Sequence, residues 1–314
     1  MPSFYDFYFD SSTGKNKIHA RKCVPDVEPR AIIQINHGIA EHIERYDSFM
    51  NFLAENGFLV VGEDHLGHGQ SVNSQEDLGF FNEEDGWNCV VSDINKLRSI
   101  IREGHENIPY IMFGHSMGSF LTRTYIIKYP ENYDLCILSG TGNQLKPIVY
   151  SGYALASLLT KKNGPRGDGN TLNNIAFGNF NDKIPGHSTE FDWLSRDAEN
   201  VQKYIDDPLC GFVAKTSLYR DMMSGIKFVT NQENINTMNV NAPVLFVSGD
   251  ADPVGEYGKG VNRAYKAFCK AGLQDVTIRL YPGGRHEILN ETNRDEVFSE
   301  ILQWIDIKLQ KIAQ

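Results

Sequence analysis

Two hydrophobic periods alternate over residues 1–140 and again over 240–314. The runs AIIQINHG (31–38), FLVVGEDHLGHG (58–69), IPYIMFGHS (108–116), YDLCILSG (133–140), APVLFVSGD (242–250) and VTIRLYPGG (276–284) are apolar on both faces and end in Gly-rich breaks. That is the pattern of strands buried within a parallel sheet. Between them, YDSFMNFLAENG (46–57), GWNCVVSDINKLRSIIREGH (86–105), MGSFLTRTYIIKYP (117–130), YGKGVNRAYKAFCKAG (257–272) and RDEVFSEILQWIDIKLQKI (294–312) carry helical spacing. At the start, FYDFYF (4–9) and KIHARKCV (17–24) read as an antiparallel pair joined through DSSTGKN (10–16).

The alternation stops between Thr141 and Asn239. PIVYSGYALASLLTKK (147–162), STEFDWLSRDAENVQKYIDDP (188–208) and KTSLYRDMMSGIKFV (215–229) read as helices, and GPRGDGNTLNN (164–174) as a loop. The expected architecture is therefore α/β, a mostly parallel sheet flanked by helices. Residues 1–140 and 240–314 form its core, and 141–239 are a helical insertion after the sixth strand.

Composition narrows the field. A hydrophobic share of 41% with 22% charged residues suits a globular chain with a large core. The net charge of −10 disfavours nucleic acid and anionic membrane faces as partners. Five cysteines stand singly, at 23, 89, 136, 210 and 269, with no C-x-x-C pair, so a disulfide framework and a zinc knuckle are not expected. MPSFYDFYFD has no basic-then-apolar leader pattern, and no apolar run reaches the ~18–20 residues of a membrane span. A cytoplasmic protein is expected.

The chemistry concentrates in Gly114-x-Ser116-x-Gly118, placed where an apolar strand becomes a helix. A tight corner there pushes the Ser116 hydroxyl out of the sheet edge, and its neighbours must be small for the chain to turn. A serine hydroxyl needs a base to take its proton and amides to hold an oxyanion. In this architecture the order along the chain is serine, acid, histidine. Of nine histidines only His286 lies beyond the strand 242–250, in the loop after 276–284. For the acid, GDADPVG offers Asp252, two residues past the strand end where a loop reaches back to a His ring, ahead of Asp250, whose alternative task at the strand end is to form the turn. Oxyanion amides are expected from Met117 and from Ile39 in the loop HGIAEHIERY, with His37 and Gly38 shaping that loop and Gly114, His115 and Gly118 supporting the corner. His37, His42 and Arg45 are read as structural, through loop hydrogen bonds and pairing with Glu41 or Glu44. DHLGHG (64–69) is read as bracing of the rim, not as a metal site. No phosphate-binding or dinucleotide motif occurs, so no cofactor is expected.

Together INHGIAEHIERY, DHLGHGQS, GHSMGS, GDADPVG and GGRHE resemble the monoacylglycerol lipase and lysophospholipase branch of the α/β-hydrolases, the serine aminopeptidase S33 type. The resemblance runs in order from about Ile32 to the last helix. It implies an eight-stranded α/β-hydrolase sheet and a triad of Ser116, Asp252 and His286, settling the acid on Asp252. It implies oxyanion amides at Ile39 and Met117, a cap over residues 141–239, and a serine esterase acting on a small acyl ester. The sequence departs in KKNGPRGDGNTLNNIAFGNFND (161–182), a polar stretch where the family carries an apolar acyl tunnel. The helix 147–162 still offers a face to lipid, so transient membrane or micelle contact through the cap is part of this reading. The assembly expected is a monomer or a homodimer. The alternatives are a short-chain carboxylesterase, an amide or peptide hydrolase, or an acyltransferase on the same triad.

Overall fold

Five short apolar runs become strands because both of their faces find cover, and a sixth, Val276–Tyr281, pairs at the sheet edge, where it is only partly buried. The computed structural model describes residues 1–312. Its strands are β1 (Ser3–Asp10), β2 (Lys17–Val24), β3 (Ala31–Asn36), β4 (Phe58–Glu63), β5 (Tyr110–His115), β6 (Leu135–Ser139), β7 (Val244–Gly249) and β8 (Val276–Tyr281). They form one eight-stranded sheet in the order β1-β2-β4-β3-β5-β6-β7-β8. Only the pairings of β2, with β1 and with β4, are antiparallel. The rest are parallel, with Ile33 opposite Ile111 and Ile137 opposite Leu245 in register.

The period of two divides each central strand between two cores. Ile32, Tyr110, Met112 and Leu138 face one side, where α2 (Gly86–Arg102), α3 (Met117–Lys128) and α9 (Lys259–Lys270) pack. Ile33, Ile35, Phe113 and Ile137 face the other, under α1 (Asp47–Glu55) and α10 (Arg294–Ile312). The carboxyl ends of β3, β5, β7 and β8 therefore open on one edge, where loops collect in sheets of this kind.

Between β6 and β7 run α4 (Lys146–Asn163), α5 (Asn170–Phe177), α6 (Ala198–Asp206), α7 (Thr216–Val229) and α8 (Gln232–Ile235). Two expectations change here. Residues 170–174, expected to close a loop, instead open the helix α5: Asp168 accepts hydrogen bonds from the Asn170 amide and side chain at the start, and Leu172 is buried. Helix occupies only the second half of 188–208. Asp192 accepts from the Ser188 amide at 2.7 Å and from the Thr189 hydroxyl, which holds a turn, and Asp197 caps α6 through the Glu199 and Asn200 amides.

Candidate active site

Ser116 sits on the corner between β5 and α3 with φ 53° and ψ −123°, a strained left-handed conformation for a residue with a side chain. The corner closes because its neighbours lack Cβ atoms. A Cβ on Gly118 would lie 2.1 Å from the Asn36 carbonyl oxygen, and one on Gly114 would lie 2.3 Å from Thr122 Oγ1. The Ser116 amide donates to the Ser139 carbonyl at 3.0 Å, pinning the corner to β6. Met117 opens α3, where leading amides have no partner within the helix.

His286 lies on the loop after β8, and its Nδ1 is 3.0 Å from both carboxylate oxygens of Asp252. Asp252 is fully buried on the loop after β7; it also accepts from the Val254 amide at 2.8 Å. A carboxylate only accepts, so Nδ1 carries the proton and Nε2 keeps its lone pair. Burial alone lowers the imidazole pKa, but attraction to Asp252 outweighs it, and the net displacement is upward from 6.5. Asp250 has a different task, accepting from the Gly283 amide at 2.7 Å and holding the turn after β8. His115 is buried with its ring 4.7 Å from that of His286. Burial and that neighbour hold it down at about 4, so it is neutral near pH 7.

The loop after β3 packs against the corner: a Cβ on Gly38 would lie 3.1 Å from Ser116 Cβ. Its shape is fixed by side chains. His37 Nε2 accepts from the His65 amide at 2.9 Å, so Nδ1 is the donor to the Gly38 carbonyl at 2.7 Å. Burial depresses the pKa of His37 to about 4. Glu41 accepts from the Gly38 amide at 2.6 Å and from Tyr46 Oη at 2.9 Å. Arg45 then bridges Glu41, at 2.6 Å, and Glu287, at 2.6 and 2.7 Å. Against its desolvation, the Arg45 guanidinium holds Glu287 well below the usual carboxylate range. Pairing of Arg45 with Glu41 matches the sequence reading; Glu287 was not foreseen, because it lies 242 positions from Arg45.

Segments of the insertion reach the same loops. Tyr204 Oη and the Gly211 amide each donate to the Ala40 carbonyl at 3.0 Å, and His42 Nε2 lies 2.8 Å from Asp207 Oδ2. The amides of His286 and Glu287 donate to the carbonyls of Trp193 and Leu194 at 3.3 and 2.7 Å. His42, Asp207 and Cys210 bring three ligand-type atoms within 4.8 Å of one another. The two histidines of DHLGHG instead stack with His37, with ring centroids of His37 and His65 4.1 Å apart. Burial drives the pKa of His68 down to about 3 and that of His65 well below 6.5.

Ser116, Ile39, Gly38, His115 and His286 share the floor of one cavity of about 860 Å³. Its walls come from residues 173–194 and 204–219, and no residue of α4 lines it. α4, the helix offered to lipid by the sequence, packs on α7 and leaves Ile148, Tyr150 and Leu158 exposed.

A mostly parallel sheet that turns through such a serine corner after its fifth strand is the architecture of an α/β-hydrolase. The chain belongs to the serine aminopeptidase S33 family, whose model matches residues 27–293. It is 29% identical over 284 residues to a monoacylglycerol lipase of Mycolicibacterium smegmatis, covering 90% of each chain. It is 26% identical over 288 residues to the monoglyceride lipase of Rattus norvegicus, covering 91% of this chain and 85% of the relative. Among solved structures it resembles a highly thermostable carboxyl esterase from Bacillus coagulans, with a TM-score of 0.91, 30% identity, and coverage of 98% and 99%.

Proposed function

We propose that the protein is a serine hydrolase of carboxylic esters, cleaving monoacyl esters such as a monoacylglycerol or a lysophospholipid through an acyl-enzyme. The observation that carries the reading is the buried His286–Asp252 pair opening on the same cavity as the corner Ser116. In this mechanism Ser116 Oγ attacks the acyl carbonyl while His286 Nε2 takes its proton. Asp252 fixes the imidazole tautomer and stabilises the imidazolium. The amides of Ile39 and Met117 hold the tetrahedral oxyanion. His286 returns the proton to the leaving alcohol, then activates water to release the acid.

Residues 141–239 act as a cap over a core formed by 1–140 and 240–314. The cap's exposed Leu145, Ile148, Tyr150, Leu158 and Ile175 support transient contact with a membrane or micelle. Among the described residues no helix is long and apolar enough to cross a membrane. Five free cysteines support a reducing, cytoplasmic setting. A second reading, a short-chain carboxylesterase, draws on the polar cavity wall and on the carboxyl esterase likeness. Amide hydrolysis draws less support: of the acidic residues at 190, 192, 197 and 199, only Glu190 lines the cavity.

A fluorophosphonate probe tests the reading. Ser116 is the residue labelled, and Ser116→Ala abolishes both labelling and the turnover of esters graded by chain length. A folded protein that resists the probe at Ser116 ends the proposal.

A further inference from the structure

The cavity that holds Ser116 is lined by four carboxylates, Glu41, Asp182, Glu190 and Glu287, and among the described residues by no Lys or Arg. Arg45, behind the floor, pairs with both Glu41 and Glu287, which leaves that trio one negative charge in excess. Asp182 and Glu190 stand exposed on the wall, and neither belongs to an ion pair among the described residues. Lys183 and Arg285, each adjacent in sequence to a lining residue, are engaged elsewhere. The Lys183 ammonium sits 3.9 Å from the centroid of the Tyr257 ring, and Arg285 Nη1 donates to the Ser195 carbonyl at 2.9 Å. A concave site lined by one sign of charge concentrates the field that an entering substrate meets. The wall also holds an acceptor with nothing to accept: Asn181 Oδ1 is buried and without a hydrogen-bond partner among the described residues, a place for a hydroxyl donor on an entering substrate.

From these features we infer that the cavity is a charge filter for the alcohol part of the substrate. It admits esters of uncharged, hydroxyl-bearing or cationic alcohols and turns away esters that carry a phosphate, with Asp182 and Glu190 as the specificity-determining residues. The inference rests on the ester-hydrolase reading and narrows it, favouring a neutral monoacylglycerol over a phosphate-bearing lysolipid.

Three esters with one acyl chain test it: 1-octanoylglycerol, 1-octanoylglycerol 3-phosphate and octanoylcholine. At low salt the glycerol ester exceeds its phosphate in kcat/KM by about tenfold or more, as expected for several partly screened charges acting on a dianion. Octanoylcholine, corrected for its intrinsic alkaline hydrolysis rate, at least matches the glycerol ester. The preference falls severalfold on raising NaCl to about 0.5 M, where the screening length shrinks to a few ångström. It falls at least about threefold in the Asp182→Asn/Glu190→Gln double variant, since two of the field's sources are gone. Equal rates on the glycerol ester and its phosphate, or a preference moved neither by salt nor by the double variant, overturn the filter while leaving the esterase standing. Hydrolysis of none of the three overturns the esterase reading itself.

Discussion

Arg45 is the most informative single perturbation. Its guanidinium, Glu41 and Glu287 form a nearly dry trio, with side chains 11%, 4% and 6% exposed. Arg45→Met keeps the apolar stem and removes the charge together with three hydrogen bonds of 2.6–2.7 Å. Breaking a buried pair by deleting one partner costs about 3–5 kcal/mol, because the remaining charge stays desolvated. That is a large part of the ~5–15 kcal/mol by which a domain is stable. With a urea m-value near 3 kcal/mol/M, the unfolding midpoint drops by about 1–1.7 M. The pH dependence fixes the cause. In the parent protein Glu287 is held below its ordinary value of 4.5, so its contribution is present above pH 4.5 and is lost as pH falls towards the depressed value. In the variant the same carboxylate is buried without its cation and its pKa rises. The penalty is then greatest at high pH and is relieved as pH falls through that raised value. Urea unfolding at pH 8 and pH 5 therefore shows a gap between the two proteins that narrows on acidification. Adding Glu287→Gln to the variant recovers about 2 kcal/mol at pH 8, since no desolvated charge remains at that position. A loss below about 1 kcal/mol, or a gap indifferent to pH, would refute the trio as an energetic unit.

Three further outcomes are expected. The kcat/KM for p-nitrophenyl butyrate falls on acidification with a midpoint above 6.5, because Asp252 raises His286 and the base must be neutral; Asp252→Asn lowers turnover by about 10⁴ and moves the midpoint down. Gly118→Ala, whose methyl would stand 2.1 Å from the Asn36 carbonyl and 2.4 Å from that of His37, yields insoluble or grossly destabilised protein by thermal melting, whereas Gly104→Ala, which meets nothing within 4 Å and carries only the ~1–2 kcal/mol strain of its φ of 82°, stays soluble with a modestly lowered melting temperature. Glu63 is buried with no hydrogen bond to either carboxylate oxygen; the His65 ring nitrogen 3.5 Å away is kept neutral by burial, and burial pushes the Glu63 pKa well above 4.5. Glu63→Gln therefore stabilises by about 1–3 kcal/mol at pH 8. Since the parent gains stability as pH falls through the raised value, the advantage disappears near pH 4.5 in denaturant titrations.

The parts of the site readable from sequence are those set by local rules. The Ser116 corner follows from two glycines that a strand-to-helix turn needs, and both are explained by clashes within a few residues or across one neighbouring strand. The sheet follows from runs apolar on both faces, which could be satisfied only under two layers of helix. His286 followed from chain order, and its approach to Asp252 is what that order requires. Residues 141–239 were harder, because their structure is decided by distant partners. Asn170–Phe177 carries few helix formers, yet Leu172 finds a core and Asn173 accepts from Tyr219 Oη at 2.9 Å, so tertiary contacts override weak propensity. For the helix 147–162, amphipathicity says that it packs, not against what; its partner is α7.

The loop bearing Ile39 is braced from the core by His37 and Glu41, and from the insertion by Tyr204, Asp207 and Gly211. The loop bearing His286 is likewise tied through the carbonyls of Trp193 and Leu194. A rigid swing of the whole insertion away from the sheet would break all of these at once and leave buried donors and acceptors unpaired, at about 1–3 kcal/mol each. Residues 193–194 and 204–211 are therefore tied mechanically to the floor loops, and residues 173–191 of the wall make none of these ties. That stretch also carries Asp182 and Glu190, the residues proposed to select by charge. On that reading, substitutions at 182 and 190 change which ester is accepted, whereas substitutions at Tyr204 or Asp207 lower the turnover of every ester, since they loosen the loop that bears the proposed oxyanion amide of Ile39.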